Sequence, residues 1–376
     1  VIDAADAAAA RSEAEPGAAG IDGPVQTVLR ALAAWGLPGE RRLPSEAARA
    51  AGSDLIGSAA EARLIGVLAV ANQAGELPLD DDIAERVALR HRDALLWCLR
   101  LEVELLATLD RLARIGVRPL VLKGPALAHV DAPDPALRTF ADLDLLVPAE
   151  QIDAAVVALV AAGADRPVAE RRAGFDRRFA KSVTLRTASG VELDLHRTLV
   201  DGAHGLRVPL RRLQDHAATF ELAGTSVACL GSVHRLLHSA YHLALGSPTP
   251  RLGNLRDLAS ALTAPGVEWP EVVAEAERWG GAAVLALAVQ LTVDELEIDA
   301  PEPAAWAARL EVSDRERAII DRHRAEGSGI GRAKLDALRE PQPWSQRLAY
   351  LHALVAPTRA HLASRGLRYR DLVRRR

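Results

Sequence analysis

Aromatic residues make up only 3% of this 376-residue chain, so its core has to be built from aliphatic side chains. Cysteine is scarcer still. Cys98 and Cys229 are the only two, far apart and without the spacing of a metal site. This argues against a disulfide framework or a zinc site and fits a reducing cytoplasm. Charge imbalance is small as well: the formal net charge is -4 and the isoelectric point about 6.3. Nothing global points to nucleic acid or an acidic membrane. Long apolar runs are missing. The longest, GAAVLALAVQLTV at 281–293, is too short for a membrane span and reads as a buried helix. The first residues, VIDAADAAAARSEAEPG, carry acids where a secretion signal carries bases, and they have no apolar stretch, so a cytoplasmic location is expected. Lysine is also rare. Of 46 basic residues only Lys123, Lys181 and Lys334 are lysine, which makes Lys123 beside Gly124 mildly notable against chance placement.

What is present is ordinary for a globular protein: 49% hydrophobic and 26% charged residues, in a length that suits two or three domains. Residues 1–20 are Ala-, Asp- and Gly-rich without periodicity and are expected to form a mobile tail. Residues 21–115 read as helices. PSEAARAAG stops at Gly52, and SAAEARLIGVLAVANQAG reads as one helix ending at Gly75. A long helical stretch from Asp81 stops at Gly116, and its stripe Leu96, Leu99, Val103, Leu106, Leu109 and Leu112 is expected to face a core.

After Gly116 the texture changes. RPLVLKG (118–124) and DLDLLV (142–147) are β-like, PAEQIDAAVVALVAAG (148–163) is helical, and SVTLRTASGVELDLHRTL (182–199) reads as two strands around a TASG turn. Helices return from about 205, and residues 201–376 are expected to be a helical region. The terminal RGLRYRDLVRRR (365–376) holds six arginines and reads as a solvated end, with an anionic partner as the alternative.

The chemistry concentrates in the β-like module. Side chains alternate across a strand, so Asp142 and Asp144 share one face while Leu143 and Leu145 pack on the other. In VELDLH, Glu192, Asp194 and His196 likewise share a face. If the two strands are neighbours, several carboxylates crowd together and raise one another's pKa. A divalent cation such as Mg²⁺, which prefers oxygen ligands, relieves that repulsion and suits phosphoryl-type displacement. An amphipathic surface strand with solvated acids accounts for the alternation equally well. Eighteen residues before Asp142, the turn at Lys123-Gly124 leads into a short helix starting at Pro125. Glycine lets a phosphate approach the backbone closely.

Taken together, LKGPALAHVDAPDPALRTFADLDLLV and VELDLHRTL resemble an uncharacterised nucleotidyltransferase family of the polymerase-β-like superfamily. The motif part covers about 115–200, with a looser helical match to about 265 through HRLLHSAYHLAL and NLRDLASAL. The resemblance implies an α+β fold, a small mixed β-sheet core at 116–200 embedded between N-terminal and C-terminal helical regions. It implies that Asp142, Asp144 and Asp194 are catalytic and hold Mg²⁺ or Mn²⁺, and that Gly124 makes the phosphate-approach turn. Lys123 and Arg138 match basic positions cast as triphosphate contacts. The expected reaction moves a nucleoside monophosphate from an NTP such as ATP to an acceptor, with a small molecule or peptide favoured over nucleic acid. One departure stands out: Pro125 follows the turn glycine and has no N–H for a phosphate. A phosphotransferase using the same acids, or an inactive nucleotide- or partner-binding module, are the alternatives. His196 is expected to support Asp194 through a hydrogen bond. His234, His238 and Tyr241 share a helix face that lines either the cleft or a domain interface, and Asp257 reads as a rim residue or a surface acid.

Overall fold

The computed structural model describes residues 23–39, 42–246, 249–324 and 344–368. The expected tail at 1–20 and most of the arginine-rich end lie outside the described residues. The described residues begin with four helices: α1 (Pro24–Ala34), α2 (Ser45–Ala51), α3 (Asp54–Glu61) and α4 (Ile65–Gln73). The stretch expected as one helix is thus broken between α3 and α4. There Leu64 N–H donates to Ala59 O, Arg63 N–H donates to Ala60 O, and Arg63 has φ +62°. That is the hydrogen-bond pattern of a Schellman stop, with an arginine in the left-handed position that glycine usually fills.

A single 34-residue helix follows, α5 (Asp81–Arg114), with Asp81 and Asp82 in its first turn and Arg111 and Arg114 in its last, as the helix dipole favours. Its buried side is Cys98, Leu101, Leu105, Thr108 and Leu112. The expected stripe holds only in its second half: Leu112 is buried and Leu106 and Leu109 pack on the core, but Leu96, Leu99 and Val103 are 57%, 57% and 69% exposed. A leucine-rich helix carries two interleaved three–four stripes, and periodicity cannot choose between them. The choice is made by the turn packed against it, where Phe140 N–H donates to Cys98 Sγ at 3.3 Å.

The sheet has six strands: β1 (Leu120–Val121), β2 (Leu143–Leu146), β3 (Ser182–Arg186), β4 (Glu192–His196), β5 (Ala218–Leu222) and β6 (Thr225–Cys229). Their order is β3-β4-β2-β1-β6-β5. β2 pairs parallel with β4 and β1 parallel with β6, while β1–β2, β3–β4 and β5–β6 are antiparallel. The expected TASG turn joins β3 to β4. The β5–β6 hairpin lies beyond residue 200, so the sheet runs past the expected end of the core. Its turn carries Ala223 at φ +48° and Gly224 at φ +76°, a tight reversal within a stretch of little apolar periodicity.

One sheet face packs with α5 and α6 (Ile152–Ala161) through Val121, Leu143, Leu145, Leu193 and Leu195. The opposite face contributes Leu120, Leu122 and Leu146 to a second core. α7 (Phe175–Phe179) lies just before β3, and α8 (Gly202–Arg207) and α9 (Leu210–Asp215) follow β4. The second core is then completed by α10 (Ser232–Gly246), α11 (Leu252–Thr263), α12 (Trp269–Arg278), α13 (Ala282–Leu296), α14 (Pro301–Arg309) and α15 (Asp314–Arg324), packed with α1–α4. Arg256 ties the two helical regions together: its guanidinium donates to the carbonyls of Leu32, Ala33 and Trp35 at 3.2, 3.0 and 2.6 Å. Last come α16 (Trp344–Val355) and α17 (Arg359–Ser364), which dock on the segment before β3 through Tyr350 against Phe175 and Arg172 Nε donating to Ala356 O. The fold is a mixed β-sheet core flanked by extensive helical regions. Among the described residues no helix is long and apolar enough to cross a membrane.

Candidate active site

The parallel pairing of β2 and β4 sets Asp144 opposite Asp194 and Leu146 opposite His196. The leucines between them drop into the α5/α6 core, so the polar residues rise together on the face toward the helices. His196 Nε2 lies 2.6 Å from Asp144 Oδ1 and 4.0 Å from Asp194 Oδ2, and its Nδ1 lies 3.3 Å from Thr198 O. Both ring nitrogens thus face oxygens, and the hydrogen bond expected to reach Asp194 goes to Asp144 instead. The second oxygen of Asp144 is 3.4 Å from Lys123 Nζ. Asp194 Oδ1 accepts from Thr184 Oγ1 at 2.5 Å, across the β3–β4 pair.

Asp142 stands just before β2, half-buried. Burial, and then the charge of Asp144, push its carboxyl above the usual range, as expected for crowded acids. Asp144 goes the other way. Burial would raise it, but Lys123 and the charge and hydrogen bond of His196 outweigh that and hold it well below the usual range. Asp144, Asp194 and His196 each place a donor atom within 4.8 Å of the others, a spacing that one divalent cation spans. Asp142 is not part of that triplet, although its charge is felt at Arg63 and Arg138.

The turn at Gly124 has φ +52°, the left-handed conformation that favours glycine, and a Cβ there would lie 3.4 Å from the Phe140 ring. A short, wide helical turn at Leu127–Asp131 follows. Lys123 is shared between the acids and a narrow cavity lined by His238, Ser239, His242, Asn254 and Asp257, with a volume of about 10 Å³. That is room for one water-sized group. Burial, and next the charge of Lys123, push His238 and His242 well below the ordinary histidine range, so both imidazoles are neutral near pH 7.

The sequence grouped His234, His238 and Tyr241 together. The structure separates them: His234 stacks on Trp279 with Tyr241 on the same indole, both inside the helical core, while His238 and His242 reach the cavity. Arg138 is not a free cation. Its Nε and Nη2 donate to the two carboxylate oxygens of Asp257 at 3.0 and 2.7 Å, so the pair bridges the sheet module and α11. Sequence reading overlooked Thr184, Asn254 and Arg63, and left His242, noted at helical spacing, off the face of His238. Alternation along SVTLR could have flagged Thr184, and the i, i+4 step from His238 could have flagged His242. Arg63 gave no signal, because EARLIG looks like the interior of a helix.

A mixed sheet with a glycine turn on one strand and converging acids on two parallel neighbours defines a polymerase-β-like nucleotidyltransferase core. Residues 52–296 match the uncharacterised nucleotidyltransferase family, and the chain belongs to it. No curated protein matches. Among solved structures, the crystal structure of an antigenic nucleotidyltransferase-like protein from Paracoccidioides brasiliensis is similar at 15% identity and a TM-score of 0.34, covering 56% of this chain and 92% of that one. A likeness that distant carries no argument about the site.

Proposed function

We propose that the protein is a divalent-metal-dependent nucleotidyltransferase that moves a nucleoside monophosphate from an NTP to a hydroxyl of a small-molecule or peptide acceptor. The observation behind this reading is the β2–β4 register, which brings Asp144 and Asp194 side by side, with Asp144 against Lys123, in a chain of this family. The donor set fits Mg²⁺ or Mn²⁺. It is dominated by carboxylate oxygens, and Asp142, raised by burial and by Asp144, is an acid short of positive charge. When bound, the cation would supply Lewis-acid stabilisation of charge on the transferred phosphoryl group.

In this reading Asp142, Asp144 and Asp194 hold the metal. His196, hydrogen-bonded to Asp144 Oδ1, orients that carboxylate and fixes which of its oxygens stays available. Lys123 sits between the acids and the cavity and contacts the nucleotide, and Gly124 lets it approach the backbone. Arg138 holds α11 in place through Asp257 and so shapes the acceptor wall. The cavity beside Lys123 takes one hydroxyl-sized end of the acceptor between groups that both donate and accept. The hydroxyl oxygen forms a bond to the α-phosphorus, the bond to pyrophosphate breaks, and the hydroxyl proton passes to a carboxylate of the site.

The test is product analysis with NTP labelled at the α-phosphorus. Pyrophosphate release with label on NMP or on an acceptor supports the reading. ADP or inorganic phosphate as the product assigns the same acids to a phosphotransferase or phosphohydrolase instead. If Asp142→Asn or Asp144→Asn kept full transfer, the metal assignment would be wrong.

A further inference from the structure

We infer that Arg63, contributed by the N-terminal helices, is the cation that grips the β- and γ-phosphates of the nucleotide in this site. The inference rests on the nucleotidyl-transfer reading and deepens it. With Arg138 committed to Asp257, the expected pair of phosphate-binding cations is one short. Arg63 supplies a replacement on four observations.

First, its backbone is in a conformation that argues for a function. Arg63 is the left-handed residue of the Schellman stop after α3, at φ +62°, where glycine carries no Cβ penalty and arginine does. A non-glycine residue held there is a reason to look for a role. Second, the neighbouring helix is shaped to hold it. Gly253 in the first turn of α11 donates its N–H to Ala62 O at 3.0 Å, and a Cβ on Gly253 would come within 2.5 Å of that oxygen and 3.0 Å of the Arg63 Cβ. The next residues of the same helix, Asn254 and Asp257, line the cavity beside Lys123. The backbone at Ala62–Arg63 is therefore held, by a contact only glycine permits, against the helix whose residues line that cavity. Third, its guanidinium is uncommitted: it makes no hydrogen bond or ion pair to any described residue, unlike Arg138, Arg235 and Arg256. Fourth, it belongs electrostatically to the acid cluster. Burial, and then Arg138, lower its pKa, while Asp142 and Asp257 raise it. A half-buried guanidinium presents five donors, which suits the planar-fork recognition of phosphate oxygens.

The ligand class follows from the chemistry. A nucleoside di- or triphosphate offers the anionic oxygens that Arg63 lacks, whereas a monophosphate's single phosphate is the one proposed to lie at the metal. The experiment measures the affinities of the full-length protein for NTP, NDP and NMP of one base with Mg²⁺, by calorimetry, for wild type, Arg63→Lys, Arg63→Gln and Arg63→Gly. Wild type should bind NTP more tightly than NDP, and NDP more tightly than NMP. Arg63→Gln and Arg63→Gly should lose about 10- to 100-fold for NTP, the loss expected on removing a charged hydrogen-bond partner, and leave NMP affinity unchanged. Arg63→Lys should fall between. Arg63→Gly also separates function from folding: glycine is at ease at φ +62°, so this variant should melt no lower than wild type.

The inference is overturned if Arg63→Gly keeps NTP affinity, or if it weakens NTP and NMP equally. A lower melting point with unchanged NTP preference would make Arg63 a structural residue and also overturn it. Wild type that binds none of the three nucleotides with or without metal would remove the nucleotidyl-transfer reading itself, a result distinct from an Arg63 variant behaving like wild type.

Discussion

Replacing Asp257 by alanine should destabilise the protein more than the loss of an ordinary surface ion pair. Asp257 accepts two hydrogen bonds from the Arg138 guanidinium, at 3.0 and 2.7 Å, and the two side chains are only 13% and 11% exposed. Removing the carboxylate leaves a positive charge in the same enclosure. Breaking one partner of a buried pair costs about 3–5 kcal/mol, whereas exposed pairs contribute about 0–1 kcal/mol. Asp142 is the next carboxylate acting on Arg138 and offsets part of the loss, which places the expected cost near the lower end, about 3 kcal/mol. In a chain of this size each kcal/mol lowers the melting temperature by about 2–4 °C or less, so a drop of roughly 6 °C is expected by scanning fluorimetry. The double variant Arg138→Met/Asp257→Leu should recover most of it, because an apolar pair of similar volume needs no counter-charge. A loss below about 1 kcal/mol, or a double variant no better than the single one, would refute the claim that the pair is a buried strut.

The register of α5 gives a second prediction. Leu96→Lys and Leu99→Lys should change stability by no more than about 0.5 kcal/mol, while Leu101→Ala or Leu105→Ala should cost about 2–5 kcal/mol in denaturant unfolding. A third concerns pH. Burial pushes Glu275 up, but hydrogen bonds from Arg212 and Trp279 and the charges of Arg212 and Arg278 bring it down to about 2, from an ordinary value of 4.5. A depressed folded-state pKa means the stabilisation is fully present above the unfolded value and is lost as pH falls. Wild type should therefore be more stable than Glu275→Gln at pH 7, and the gap should close between about pH 4.5 and 2, read from urea midpoints across that window. A gap that does not change with pH would count against the Arg212–Glu275–Trp279 network as its source.

The acid-bearing sheet module could be read from the sequence because its signals are local. Alternation in DLDLLV and VELDLH fixes which residues share a face, and a glycine turn punctuates the strand before them. Neighbouring strands, which the alternation left as a condition, are observed with Asp144 beside Asp194. What could not be read depends on contacts between distant segments. Arg138 looks like any basic residue until Asp257, more than a hundred positions later, closes on it. The leucine stripes of α5 are equivalent until Phe140 packs against Cys98. Arg63 sits in a run of good helix formers, and only the packing of Gly253 against Ala62 shows why the helix stops there. The β5–β6 hairpin was hidden because a strand pair at a sheet end needs little apolar alternation.

The central claim is that Asp144 and its neighbours hold a metal–nucleotide complex. The most direct test is a thermal-shift panel of ATP, GTP, CTP and UTP, each with and without Mg²⁺ or Mn²⁺, on wild type and Asp144→Asn. Nucleotide at about a hundred times its dissociation constant stabilises a folded protein by roughly 2.7 kcal/mol, enough to read as a shift of several degrees. The account predicts a shift with at least one NTP in wild type that requires the divalent cation and disappears in Asp144→Asn. A shift that persists in the variant, or no shift with any nucleotide and metal, would contradict it.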